Sequence, residues 1–425
     1  MGRDPSRLRP KVNIMNILLI NRSDYLGGAA IASVRLAGAL SEMGHDVRML
    51  VVDHSDDTHA RQVATVGTTL GNRYRFLAER LGIFLHNGFS RDTLFKIDTA
   101  THGVDVSKHD WVRRADVIVL NWINQAMLSL RSIERLGALG KPIVWTMHDM
   151  WNCTGVCHHA YECTAYRQLC RLCPLLGSQG DDLSTRTQQR KRDLYERVPM
   201  HFVAVSNWLA QCCRNSALLA DKPVSVIANP FPTADFSSAF QGDNPWGVAP
   251  ETKIMVMGAA RLDDTVKGLD ILVDTLQYIA SEKPALAKRL HLVLYGDLRD
   301  RSWLDRLPID YTYLGYVNDV HSVYAHAHIV LSTSRYESFG YTLVEGMASG
   351  CIPVTTGQGG QVDIVNHRIN GYVTGSIQPA DVAQGIEWAV DTPLERHFLH
   401  EEARRKFDSR IIAEQYVRLF EQIID

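Results

Sequence analysis

The chain has 425 residues, of which 45% are apolar and 22% charged. Lys plus Arg number 45 and Asp plus Glu 47, a formal net charge of −2. This globular composition excludes a disordered chain, and without a basic excess to release counterions it argues against an electrostatic nucleic-acid binder.

At roughly 100–200 residues per domain the length predicts two or three domains. Residues 1–14 are polar, lack the apolar stretch of a secretory leader, and read as a loose arm or a non-native start. No apolar run reaches the roughly 18–20 residues of a spanning helix, so the expected location is cytoplasmic. Strands are predicted at Asn16–Ile20, Val47–Val52, Val117–Leu120, Ile143–Met147 and Phe202–Val205. A second series follows at Ile254–Met257, Leu292–Tyr295, Ile329–Ser332 and Ile352–Thr355. Apolar strands alternating with helical patterns indicate parallel sheets covered on both faces. The first helix carries Leu36, Leu40 and Met43 on one face and stops at Gly44, a residue suited to a C-cap. The segment Asn72–Lys96 mixes Arg and Lys with Phe, Leu and Ile. It suits either a surface helix facing anionic lipid or an ordinary helix packed by its apolar face.

Two such series predict an α/β chain of two doubly wound, Rossmann-like domains facing across a cleft. Their expected limits are 15–228 and 251–405. Between them a hinge and linker occupies 229–250, where Ala228–Trp246 holds three prolines. The chain closes with an amphipathic helix within 406–425.

Four places carry chemistry. After the first strand, Gly27-Gly28-Ala29 opens a helix, where free N–H groups and the macrodipole favour an anion. A dinucleotide fingerprint would need glycines where Ala29 and Ala32 stand. Arg261 and Lys267 flank a second turn, a fork and a point charge able to grip a diphosphate. In a third, Glu337 precedes Phe339, Gly340 and Tyr341 at a helix start, and Glu345 follows within that helix. The first carboxylate could hold sugar hydroxyls and the second ribose hydroxyls; a solvated surface pair is the alternative. His148 ends a strand and points to the cleft.

Cys153, Cys157, Cys163, Cys170 and Cys173 crowd into 21 positions (153–173), the last four spaced C-x5-C-x6-C-x2-C. A C-x2-C end is common in closed zinc sites. Free buried thiols or two disulfides are the alternatives.

Glu337 and Glu345 form an E-x7-E element. With ESFGYTLVEGMASGCIPVTT, GGQVDIV and NGYV, it resembles the family 4 retaining glycosyltransferases of GT-B architecture. The resemblance spans about residues 15–425. It implies a nucleotide-sugar donor, UDP- or GDP-linked, in the C-terminal domain. There Arg261 and Lys267 would hold the diphosphate, Glu345 the ribose, and Val317 would sit in a main-chain loop on the base. Glu337 with Phe339, Gly340 and Tyr341 would fix sugar and phosphate. Gly27 and Gly28 match the family's N-terminal loop, and His148 would lie beside the transferred sugar. No catalytic metal is expected. The cysteine segment resembles a subgroup from capsule and exopolysaccharide (colanic-acid-type) pathways. For Cys157, Cys163, Cys170 and Cys173 a structural zinc is one expectation. The acceptor would be a glycan or lipid-linked saccharide bound by the N-terminal domain, with peripheral association to the inner membrane. Two rivals are a non-catalytic sugar-nucleotide or polysaccharide-binding protein on this fold, and an NAD-dependent oxidoreductase, against which the failed glycine fingerprint counts.

Overall fold

The computed structural model describes residues 13–56, 62–177, 182–239 and 244–424. Residues 1–12 of the expected arm and 240–243 of the expected linker lie outside the described residues.

The first sheet contains β1 (Asn16–Ile20), β2 (Asp46–Val51), β3 (Val63–Thr65), β4 (Val117–Leu120), β5 (Ile143–Met147), β6 (His201–Ala204) and β7 (Val224–Val226). The second contains β8 (Lys253–Arg261), β9 (Leu290–Asp297), β10 (Tyr311–Tyr313), β11 (Ile329–Ser332), β12 (Ile352–Thr355) and β13 (Tyr372–Val373). Their orders are 3-2-1-4-5-6-7 and 10-9-8-11-12-13. Every pair is parallel.

Side chains alternate across each strand, and both faces are buried. Leu18, Ile20, Ile118 and Leu120 enter one core. Their neighbours Ile17, Leu19, Val117 and Val119 enter another. That double burial is why these strands read as continuous apolar runs. Helix α1 (Gly28–Glu42) covers the second of these faces with Leu36, Ala37 and Leu40. It ends as its sequence suggests, with Gly44 at φ +95° and its N–H donated to the Ser41 carbonyl.

One feature differs from the sequence reading. β8 continues through Gly258 to Arg261, where a turn was expected from Gly258. A register shift falls between those residues, and a Cβ at Gly258 would meet the Tyr295 ring at 1.9 Å. The strand can run on because glycine admits that ring. The expected final helix runs over Ser409–Ile424 and returns to the first domain. Ile412, Tyr416 and Phe420 pack in the core beneath α1, and Tyr416 shares a 2.9 Å hydroxyl hydrogen bond with Thr146 of β5. The linker is tied to this crossing: the Phe231 N–H donates to the Phe407 carbonyl at 2.8 Å.

Candidate functional site

In parallel α/β sheets ligands bind beyond the carboxyl ends of the strands. Both sheets present those ends to one crevice, which holds two adjoining cavities of about 510 and 290 Å³.

The larger is walled on one side by Gly27, Gly28, Trp122, His148 and Asp149, and on the other by Glu337 and Phe339–Tyr341. Gly27 caps α1 at φ +85° and lets the helix start turn toward the cavity. Phe339 is buried, Gly340 takes φ +110°, and Tyr341 begins the helix Tyr341–Ala348. A glycine turn clasps Glu337 from behind. The Gly360 N–H donates to its carbonyl at 2.7 Å, and a Cβ at Gly359 would lie 2.1 Å from that oxygen.

The smaller cavity lies over the ends of β8 and β11 and is lined by Lys267, Glu337, Tyr341 and Glu345. Lys267 Nζ meets Glu337 Oε2 at 2.7 Å. That carboxylate raises the lysine pKa against the effect of burial. Glu345 is half-buried, and loss of solvent pushes its carboxyl up from its ordinary value; the Tyr295 hydroxyl donates to it at 3.5 Å. A desolvated carboxyl with one long hydrogen bond suits a partner that donates further ones, such as a diol.

His148 follows β5 and is held down to about 4 by burial, so it is neutral. Asn121 Oδ1 lies 3.2 Å from His148 Nε2. An amide oxygen only accepts, so Nε2 carries the imidazole proton. The lone pair is left on Nδ1, which is buried and has no hydrogen-bond partner among the described residues.

Two expected contacts fall elsewhere. Arg261 is not among the residues lining either cavity. It ends the extended β8 beside Asp263 and Asp264, at 3.3 and 3.7 Å, which draw its guanidinium to themselves. Val317 also lies off the cavity walls, half-buried against the core beyond β10.

Trp122 and Asp149 also line the larger cavity, and His158, Asp98 and Arg80 stand behind Asp149. Trp122 Nε1–H donates to Asp149 Oδ2 at 3.0 Å. His158 donates to Asp149 at 2.7 Å and to Asp98 at 2.8 Å, and Arg80 also pairs with Asp98. Burial opposes charge on His158, yet the flanking carboxylates lift it to about 10. Burial likewise opposes charge on Asp149, but His158 prevails and holds it below the ordinary carboxylate range. An ionised Asp149 therefore faces the cavity beside an indole, a pairing suited to a sugar hydroxyl and a sugar face. The available signal was positional: Trp122 and Asp149 each stand just after a central strand.

Cys157, Cys163, Cys170 and Cys173 all line one small cavity of about 20 Å³. Burial pushes the Cys157 thiol up to about 12 and Cys170 to about 11, so both are protonated. None of the eight cysteines is in a disulfide. Among the described residues no three His, Cys, Asp or Glu side chains are grouped so as to hold a metal ion. As placed, the thiols share a cavity without forming a coordination set.

Two family models match the chain: Glycosyltransferase Family 4 over residues 26–235 and Glycosyl transferases group 1 over residues 244–406. An uncharacterized glycosyltransferase of Methanocaldococcus jannaschii is 25% identical over 206 residues, covering 43% of this chain and 52% of that protein. Mannosylfructose-phosphate synthase of Agrobacterium fabrum is 34% identical over 120 residues, covering 25% and 26%. These matches span about half or less of the relatives' lengths. Among solved structures, Anabaena HepE in complex with UDP and glucose superimposes with a TM-score of 0.61 at 18% identity, covering 96% of this chain and 99% of that one. A Rickettsia africae glycosyltransferase gives 0.66 at 15%, covering 97% and 100%. At such identities the likeness is one of fold.

Proposed function

The chain belongs to the family 4, group 1 glycosyltransferases and has their GT-B fold, and on that premise we propose that it is a retaining hexosyltransferase of bacterial surface polysaccharide synthesis. Its donor is a UDP- or GDP-sugar and its acceptor a glycan or lipid-linked saccharide. The observation that carries this reading is the crevice itself: Lys267, Glu337 and Glu345 line one cavity that adjoins the wall formed by Gly28, His148 and Asp149.

Lys267 and the amide end of the helix Tyr341–Ala348 stabilise negative charge growing on the departing diphosphate. Glu345 accepts from ribose hydroxyls. His148 Nδ1 accepts from a hydroxyl of the transferred sugar. The bond from the sugar's anomeric carbon to the diphosphate oxygen breaks, and one to the acceptor oxygen forms on the same face. The acceptor's proton passes to the leaving phosphate oxygen. The closed crevice keeps water from the anomeric carbon. HepE, which is structurally similar, was solved with UDP-glucose and with UDP, which makes UDP-sugars the first donors to try. A panel of UDP-, GDP- and ADP-sugars, followed by slow release of the nucleoside diphosphate, is expected to yield turnover with one base. Release from none of them contradicts the reading.

A lipid-linked acceptor also accounts for α2 (Thr69–His86). No helix among the described residues is long and apolar enough to cross a membrane. Yet Leu70, Tyr74, Leu77, Leu81 and Leu85 form one stripe on α2, each between 53% and 82% exposed. Arg73 on the same helix is exposed, as are Arg91 and Lys96 in the segment that follows it. An apolar stripe with basic neighbours suits the surface of an anionic bilayer. The inner side of α2 reaches the crevice, since the Phe76 ring lies 6.0 Å from the guanidinium of Arg22, which lines the larger cavity. The protein is expected to float with vesicles containing phosphatidylglycerol and to stay behind with neutral ones. The double variant Leu77→Glu, Leu81→Glu should lose at least about tenfold in partitioning. Equal behaviour of variant and parent would remove the membrane role.

A further inference from the structure

The donor cavity has a wall contributed by the other domain, and that wall carries a cation. Arg35 stands on α1, two turns beyond Gly28, and lines the same cavity as Lys267 and Glu345. Its guanidinium carbon lies 5.0 Å from the ring centres of both Phe231 and Tyr341. Phe231 belongs to the linker and Tyr341 begins the helix Tyr341–Ala348, so the side chain is held between the two domains. One of its terminal nitrogens, Nη1, is buried and has no hydrogen-bond partner among the described residues. Glu345 faces it and feels its charge, but burial has already raised that carboxyl.

A buried guanidinium N–H without an acceptor is costly. Arg35 lines the cavity of about 290 Å³ together with the cation assigned to the leaving diphosphate, and a small rotation of its guanidinium would turn this N–H toward it. A ligand phosphate oxygen would supply the missing acceptor, and guanidinium suits phosphate through its fork of donors. We propose that Arg35 is a binding residue for the donor's diphosphate, reaching it from the N-terminal domain opposite Lys267. Because the two cations sit on different domains, a bound diphosphate is gripped from both sides of the crevice. This inference rests on the sugar-nucleotide reading above and adds to it a phosphate ligand from the opposite domain. Arg261, displaced toward Asp263 and Asp264, leaves room for such a second cation.

The test titrates UDP, GDP and ADP into the full-length protein by calorimetry, then repeats the tightest of them and its nucleoside, by competition, with variants. Arg35→Ala should weaken the nucleoside diphosphate at least tenfold and leave the nucleoside within about twofold. Arg35→Lys should fall between, keeping the charge without the fork. Arg35→Gln keeps the stem against Phe231 and Tyr341 and provides a second reading should the alanine variant fold poorly. Unchanged diphosphate affinity would overturn the proposal, as would equal losses for diphosphate and nucleoside, which would make Arg35 only a structural pin. If the wild type binds none of the three, the donor reading falls, and this inference falls with it.

Discussion

Lys267→Ala is expected to lower sugar transfer by at least about 100-fold while the fold and melting temperature stay close to wild type. Removing one group that stabilises charge in a transition state typically costs about 10²–10³ in turnover. Here the loss is compounded. Lys267 is 2.7 Å from Glu337 Oε2, so the variant also leaves an unneutralised carboxylate beside the departing diphosphate. The stability effect should be small, because the pair is partly exposed and such pairs contribute little. Lys267→Arg retains the charge with a different reach and should recover part of the rate. The measurement is steady-state release of nucleoside diphosphate, with thermal melting as the control. Turnover within a few-fold of wild type would mean that the leaving group is stabilised elsewhere.

The largest effect on stability is expected at His158. It lies between the carboxylates of Asp149 and Asp98, which Trp122 and Arg80 also contact. Removing one member of a buried charged set strands the others, at a cost of about 3–5 kcal/mol. His158→Ala should lower the denaturation midpoint accordingly. The pH dependence has a definite sign. The folded pKa of about 10 stands above the ordinary value of 6.5. The contribution is therefore complete below about pH 6.5 and is lost as pH rises toward 10. Wild-type stability should decline through that window, and the difference between wild type and variant should shrink with it. Parallel curves for the two proteins between pH 6.5 and 10 would show that His158 is not the titrating group. Since Asp149 faces the larger cavity, the same variant should also weaken acceptor use more than donor hydrolysis.

The interior of each sheet was legible. β1, β4, β5, β11 and β12 fall on their predicted residues, because strands buried on both faces must be apolar throughout. The four strands missing from the sequence reading are β3, β7, β10 and β13, and they are the four sheet edges. Each has only two or three residues, of which only Tyr372 is buried, and takes its strand conformation from one neighbour. Short strands of that kind carry too few residues to show a period.

The site divides the same way. Gly28, His148, Glu337 and Tyr341 stand just after strands or at helix starts, where the order of elements alone points them to the crevice. That much is set by chain-local pattern: apolar period, turn glycines and the spacing of two glutamates. Where Arg261 and Val317 point was decided by the register shift at Gly258 and the packing beyond β10. Tertiary structure alone joined His158 to Asp98, 60 residues away, set Arg35 against Tyr341, and returned the final helix to the first domain. Such pairings depend on geometry between distant segments, and no local period encodes which buried charge will face which.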